Sequence, residues 1–199
     1  ASPRFSTQGN TTRTWSSSSH SVGHHRDQLV HLLQEKPCDP SLQRLINLVE
    51  QEVPADLTAS ASLLRGVWEL RWSSSQQPWL KQAPWLENLQ ALDPDEGRGC
   101  NLLRLCAPFA KLGGISVQAE LQIIDSKRVD VRFRRGGWIG PSLPNRQQLS
   151  LMRQVQQSTP AWLDITVLDP QLRICRGNAG TTFALLKRND LPLSDFFGV

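Results

Sequence analysis

No stretch of this 199-residue chain stays apolar long enough to form a membrane-spanning helix, because charge breaks the densest apolar runs within a few residues. That excludes a helical crossing and leaves contact with a membrane surface open. Cysteine is scarce and poorly spaced for metal. Cys38, Cys100, Cys106 and Cys175 form no Cys-x-x-Cys pair, and in the folded part no histidine stands at ligand spacing from a cysteine or another histidine. No metal site is expected. Three of the four cysteines lie in apolar, strand-like stretches, where a free thiol behaves as a small buried hydrophobe. This points to a reducing compartment and leaves a disulfide open.

Catalytic signatures are also missing. There is no Gly-x-Ser-x-Gly and no glycine-rich phosphate loop. His31 is the one histidine outside the N-terminal tail, and it sits in an apolar helical pattern. Asp93, Asp95 and Glu96 read as solvated loop charge. No catalytic residue and no cofactor are expected. The charge excess is small: 22 Lys and Arg against 18 Asp and Glu give a net charge of +4 and a pI near 9.2. Without a dense basic patch, a nucleic-acid partner is not expected.

The N-terminal residues 1–26 are rich in Ser and Thr, contain arginine and have no acidic residue. The stretch reads as a disordered leader with the bias of an organelle transit segment. Residues 27–62 read as helical. Leu29, Val30, Leu32 and Leu33 form an apolar patch at helical spacing that Pro37 ends. Asp39-Pro40 reads as an N-cap and first helical residue. Leu42, Leu45, Ile46, Leu48, Val49 and Val53 then give a second amphipathic helix, which Pro54 closes.

From residue 64 the period changes to two. Trp68, Leu70 and Trp72 alternate with Glu69 and Arg71, the pattern of a half-buried strand. Residues 78–92, with Pro78 and Pro84, read as a loop and a short helix. Strands are expected over 101–109, 115–123 and 128–134, the last two joined by a tight turn at 125–127. Residues 136–146 read as a Gly- and Pro-rich loop, and residues 147–156 are ambiguous between helix and strand. Residues 162–168, 172–176 and 181–187 form a meander, with Gly177 and Gly180 available for positive φ in its second turn. Phe196 and Phe197 close a tail expected to pack on the barrel mouth or wall. Seven or eight one-sided strands favour an antiparallel sheet closed into a barrel over residues 63–199, with a sandwich as the alternative. The fold class is thus mainly β, an antiparallel barrel preceded by two short α-helices.

Two sets of residues carry a resemblance. Gly66-Val67-Trp68-Glu69-Leu70-Arg71-Trp72-Ser73-Ser74 has the Gly-x-Trp opening of a lipocalin first strand. Leu172-Arg173-Ile174-Cys175-Arg176-Gly177, followed by Phe183-Ala184-Leu185-Leu186-Lys187, resembles the closing hairpin of the plastid lipid-associated protein (fibrillin) family. Order, spacing and the preceding helices agree over about residues 28–190. The resemblance implies a lipocalin-like barrel of chloroplasts or cyanobacteria. It would be soluble or peripheral at thylakoids or lipid droplets (plastoglobules), associated with carotenoids, prenylquinones or other lipids, and without catalytic activity. Ala184 stands where that family usually has a larger aliphatic residue, which would widen the interior.

An apolar ligand would enter such a barrel because burial removes apolar area from water, at roughly 25 cal/mol per Å². The expected liners are Trp68, Leu70, Trp72, Val117, Ala119, Leu121, Val131, Phe133, Ile174 and Phe183. Arg173 and Arg176 lie on opposite faces of one strand. One of them is expected to stack on Trp68, for ~1 kcal/mol, and which one is left open. Lys127, Arg128, Arg132, Arg134 and Arg135, with Trp138, suit an anionic membrane surface and equally suit a solvated face balanced by Asp125 and Asp130. Two other readings stand beside ligand binding. One is a filled barrel whose outer surface coats lipid bodies or docks an enzyme of lipid metabolism. The other is a chromophore-handling enzyme using Cys106 or Cys175.

Overall fold

In the computed structural model, residues 18–80, 83–144 and 147–197 are described. Two α-helices lead the chain, α1 (Ser18–Glu35) and α2 (Leu42–Glu52), followed by a short α3 (Leu57–Ser60) and a 3-10 turn over Ala61–Leu64. Nine strands follow: β1 (Gly66–Ser73), β2 (Leu86–Asp93), β3 (Arg98–Leu105), β4 (Gly114–Ile123), β5 (Arg128–Ser142), β6 (Gln148–Gln154), β7 (Ala161–Leu168), β8 (Leu172–Gly177) and β9 (Thr182–Lys187). A short α4 (Ser194–Phe197) ends the described chain.

All strand pairs are antiparallel. The hydrogen-bonded order is β4-β3-β2-β1-β9-β8-β7-β5-β6, and β4 also pairs with β5. That extra pairing closes β1, β2, β3, β4, β5, β7, β8 and β9 into a ring, with β6 hanging from the far half of β5. The sheet is therefore barrel-like, and two packed sheets are excluded. One end of the ring is the floor, where the 3-10 turn meets the start of β1. The mouth is at the other end, beside the β8–β9 turn.

Three apolar layers hold the ring. Inside, Leu64, Trp68, Leu70, Val129, Ile165, Cys175 and Leu185 are buried together. Outside β7, β8 and β9, Leu29, Leu33, Leu45, Ile46 and Val49 of the helices pack on Val167, Leu172, Ile174, Ala184 and Leu186. Outside β1, β2 and β3, Val67, Leu89, Ala91 and Cys100 lie under Phe196 of α4, with Leu191, Leu193 and Phe197 alongside. The C-terminal tail thus packs on the wall.

Several sequence expectations are corrected. Only residues 1–17 of the expected disordered leader lie outside the described residues; α1 already begins at Ser18. Its anchors are long-range partners. Arg26 donates from Nε and Nη2 to the Asp169 carboxylate at 2.9 and 2.9 Å, and His25 Nδ1 lies 2.8 Å from Glu52. Asp39 does not cap α2 directly, because its carboxylate accepts from the Ser41 amide at 2.9 Å and the helix starts one residue later. Residues 86–93 form strand β2, and only Pro78–Leu80 is helical before it. β5 continues through Gly136 and Gly137 to Ser142, and the ambiguous segment is strand β6. Glycine makes that continuation workable: a Cβ on Gly137 would stand 2.0 Å from the Leu151 carbonyl oxygen, so β6 pairs this closely only with glycine there. In the β8–β9 turn, only Gly180 uses a positive φ, +79°.

Candidate functional site

Strand alternation assigns each side chain to the interior or the outer wall. Residues paired across the ring share a face, so Trp68 on β1 shares the inner face with Gln90 on β2 and Lys187 on β9. The inner face encloses a cavity of about 250 Å³ reaching the mouth. Its walls are Leu92, Val117, Ala119, Leu121, Val131, Phe133, Leu163 and Phe183, with Asn88, Gln90 and Asn101 among them. Leu80, Asn178, Ala179 and Thr181 border the mouth. A smaller hollow of about 30 Å³ lies against the floor, between Leu64, Leu92, Leu121, Ile165 and Arg173. A larger hollow of about 1290 Å³ lies on the outer wall between β3, β4, β5, β6 and α4. Polar and apolar surface line it about equally, whereas the interior lining is predominantly apolar and the better fit for an apolar ligand.

The floor brings two cations onto one aromatic ring. The Trp68 side chain is fully buried, and its indole N–H donates to the Leu64 carbonyl at 2.9 Å, tying β1 to the 3-10 turn. The Arg173 guanidinium lies 5.2 Å from the Trp68 ring centroid and the Lys187 ammonium 4.9 Å. Lys187 Nζ also donates to the Leu63 carbonyl at 3.0 Å. Arg173 is fully buried, and Nη2 donates to the Gln90 side-chain oxygen, while Nε and Nη1 have no acceptor. Burial pushes the guanidinium below its usual range. Burial, then repulsion from Arg173, pushes the Lys187 amine down.

The expected liners divide. Trp68, Leu70, Val117, Ala119, Leu121, Val131, Phe133 and Phe183 face the interior. Arg173 is the inward arginine and stacks on Trp68. Three expected placements are corrected. A bulge makes Arg71 an extra residue between Leu70 and Trp72, so Trp72 turns outward against the helix layer. Ile174 is buried under the same helices. Arg176 points outward to Glu50 of α2, donating from Nε at 2.9 Å and from Nη2 at 2.5 Å. Ala184 also lies in the helix-covered layer, so its small size does not widen the interior.

The expected membrane-surface group is not one cluster. Lys127 and Arg128 lie at the floor end, and Arg128 is engaged by Asp164 at 2.8 Å and by the Trp162 ring at 3.9 Å. Arg132 and Arg135 lie on the outer wall, and Arg134 pairs with Glu120. Trp138 is on the other face of β5, opposite Ile115 and Leu151 on an exposed shelf above the mouth. Trp85, Leu105, Phe109, Leu112 and Ile115 are exposed large apolar residues of strand ends and connections at that end.

The residues missed from sequence are Asn88, Gln90 and Leu92 on β2, Leu163, Cys175, Leu185 and Lys187. β2 was hidden because Leu86, Leu89 and Leu92 repeat at helical spacing while its inward positions are partly polar. The inward alternation of Arg173 with Cys175 was available as a signal. Cys175 is fully buried, and desolvation, partly opposed by Arg173, raises its thiol above the usual range. An uncharged buried thiol is a poor nucleophile. Cys106, partly exposed, is also pushed up, by desolvation and then by Glu87 and Glu69. Among the described residues, no group of three or more His, Cys, Asp or Glu could hold a metal ion, and no helix is long and apolar enough to cross a membrane.

Arg188 fastens the tail to the ring. Its guanidinium reaches Glu69 at 2.9 Å, Glu87 at 3.1 Å and Asp190 at 2.7 Å. The hydrogen bond from Arg188 holds the Asp190 carboxyl down to about 2. A ¹³C-detected carboxylate titration should give that midpoint, and in Arg188→Gln it should return to the ordinary value of about 3.9. The pair supports the fold above the unfolded carboxylate's range and loses that support as pH falls toward the folded value. Asp190 is exposed, so the contribution to stability is small. A midpoint near 3.9 in the parent would remove the pairing.

A ring-like antiparallel sheet around a largely apolar interior, wrapped by helices on one side, places the chain among barrel-like, mainly β proteins. The PAP_fibrillin family model matches residues 34–186, and the chain belongs to that family. It is also 40% identical over 79 residues to the probable plastid-lipid-associated protein 12, chloroplastic, of Arabidopsis thaliana, a match covering 38% of this chain and 19% of that protein. Family membership gives this chain a lipid-associated structural or binding role. The chain spans about a fifth of that relative's length.

Proposed function

We propose that this protein is a non-enzymatic binder of lipids or isoprenoids, a carotenoid or prenylquinone among them, held in the ring interior. The 250 Å³ cavity with its largely apolar wall carries this reading. Such a volume encloses one end of a long isoprenoid and leaves the rest at the mouth. There the exposed apolar shelf, with Leu151 74% and Trp85 65% exposed, would meet a lipid surface. The site of action is a chloroplast, as the relative's name suggests, at a thylakoid or plastoglobule there, or else a cyanobacterial thylakoid. The protein would be peripheral there.

The test is native mass spectrometry with solvent extraction on the chain expressed in a photosynthetic host. A defined lipid, carotenoid or quinone at near-equal amount is expected, and Ala119→Trp, which fills the cavity, should lose it while keeping the fold. An empty parent that also fails to take up added apolar ligand would overturn the reading. The same exposed shelf favours a second reading, in which the outer surface coats lipid bodies or docks a lipid-metabolism enzyme. That predicts flotation with lipid vesicles unchanged by Ala119→Trp.

A further inference from the structure

We propose that the floor of the interior binds the carboxylate of a chain-like apolar acid, headgroup inward, on Arg173. This rests on the reading of the interior as a ligand cavity and names the chemical class that cavity selects. Arg173 is fully buried, and two of its three nitrogens, Nε and Nη1, lack an acceptor. Nearly all buried polar groups in folded proteins have partners, and a guanidinium without them is costly to bury. The charge is as poorly matched as the hydrogen bonds. Among the described residues no carboxylate acts on Arg173, and the acceptor it does have, the Gln90 side-chain oxygen, is neutral. Lys187 stands on the same Trp68 ring, and the charge it feels is Arg173 itself. Asp93 is spent elsewhere, paired with Arg65 at 3.0 Å and Arg98 at 3.3 Å on the outer side of β2.

The site is also placed to receive a ligand. The 30 Å³ hollow against Arg173 shares Leu92, Leu121 and Leu163 with the main cavity, so it adjoins the deep end of that cavity across these three side chains. A hollow of that size takes a water or a carboxylate and is too small for a phosphodiester headgroup. Water would satisfy the N–H groups and leave two cations uncompensated. A neutral carbonyl would do the same. A carboxylate supplies acceptors and charge together, the stronger kind of hydrogen bond. An ammonium headgroup would be repelled by Arg173 and Lys187. The tail would then run up past Ala119, Val131 and Phe133 to the mouth.

The experiment measures binding of matched pairs to the full chain by titration calorimetry: oleate against oleyl alcohol, and retinoate against retinol. The two pairs distinguish an acyl chain from an isoprenoid acid as the source of the carboxylate. At least one acid is expected to bind ~10–100-fold tighter than its alcohol, the range of a charge-assisted hydrogen bond. In Arg173→Met, that preference should vanish while alcohol binding stays. A carboxyl-¹³C-labelled acid should show, when bound, a titration midpoint below its free value. The parent comparison needs no variant, so a poorly folding Arg173→Met leaves the test intact. Equal binding of acid and alcohol by the parent sinks the carboxylate site and leaves the cavity reading standing. If no member of either pair binds, both fail.

Discussion

Trp68→Ala is expected to lower the unfolding free energy by about 3–5 kcal/mol, the range for truncating a buried aromatic residue. The indole is fully buried at the floor, where it does three things at once. It fills the inner core against Leu64, Leu70 and Leu185. Its N–H ties the 3-10 turn to β1 through the Leu64 carbonyl at 2.9 Å. Its face is the common surface under the Arg173 and Lys187 cations. Alanine leaves a cavity, an unpaired carbonyl and two cations over empty space. Trp68→Phe separates these roles: the ring face remains, the N–H is lost, and a smaller cost of about 1–3 kcal/mol is expected from the unpaired Leu64 carbonyl. Urea unfolding midpoints for the parent and both variants measure the series. A Trp68→Ala loss under about 1 kcal/mol would mean that the floor relaxes around the gap and that Trp68 does not close it.

The clean strands were legible because each has one covered face and one wet face. Residues 115–123 alternate visibly, since β4 turns Val117, Ala119 and Leu121 inward and leaves Glu120 and Gln122 in solvent. Legibility failed where both faces are covered. β8 is buried at Leu172, Arg173, Ile174 and Cys175 in succession, with the ring interior on one side and the helices on the other. Its alternation put Arg173 and Arg176 on opposite faces without saying which was inside, and Ile174 went to the wrong one. β2 failed similarly, because Leu89 and Ala91 face the C-terminal tail while Asn88 and Gln90 face inward. A bulge is local geometry with no sequence period, so Trp72 was carried inward by an alternation that breaks at Arg71. Asn88 and Gln90 were unreadable as site residues because a polar residue at an inward position resembles a loop until its strand pairing is known. The family resemblance rested on two residue motifs, their order and spacing and the preceding helices, and needed none of these facing decisions.

Ile174→Asp is expected to be more damaging than Trp68→Ala at neutral pH, and its pH dependence identifies the cause. Ile174 is fully buried, in a row with Val167 on β7 and Ala184 on β9, beneath the helix layer that contains Ile46 and Val49. Losing the isoleucine side chain alone costs about 2–5 kcal/mol. A carboxylate there adds several kcal/mol of desolvation without a counter-charge, so a total above about 5 kcal/mol is expected at pH 7, enough to unfold a domain of ordinary stability. The new carboxyl's folded pKa is raised above its unfolded value of about 3.9. Below that value both states hold the proton, and only the packing loss is felt. As pH rises, the unfolded state ionises first, and stability relative to the parent falls by up to about 1.4 kcal/mol per pH unit until the buried group also ionises. Urea midpoints at pH 4 and pH 7 should therefore diverge for Ile174→Asp and stay parallel to the parent for Ile174→Ala. Because the residue lies outside the cavity, Ile174→Ala should also leave ligand affinity unchanged. If Ile174→Ala weakened ligand binding tenfold while costing little stability, Ile174 would face the interior, and the helices would have to pack on the other face of β8.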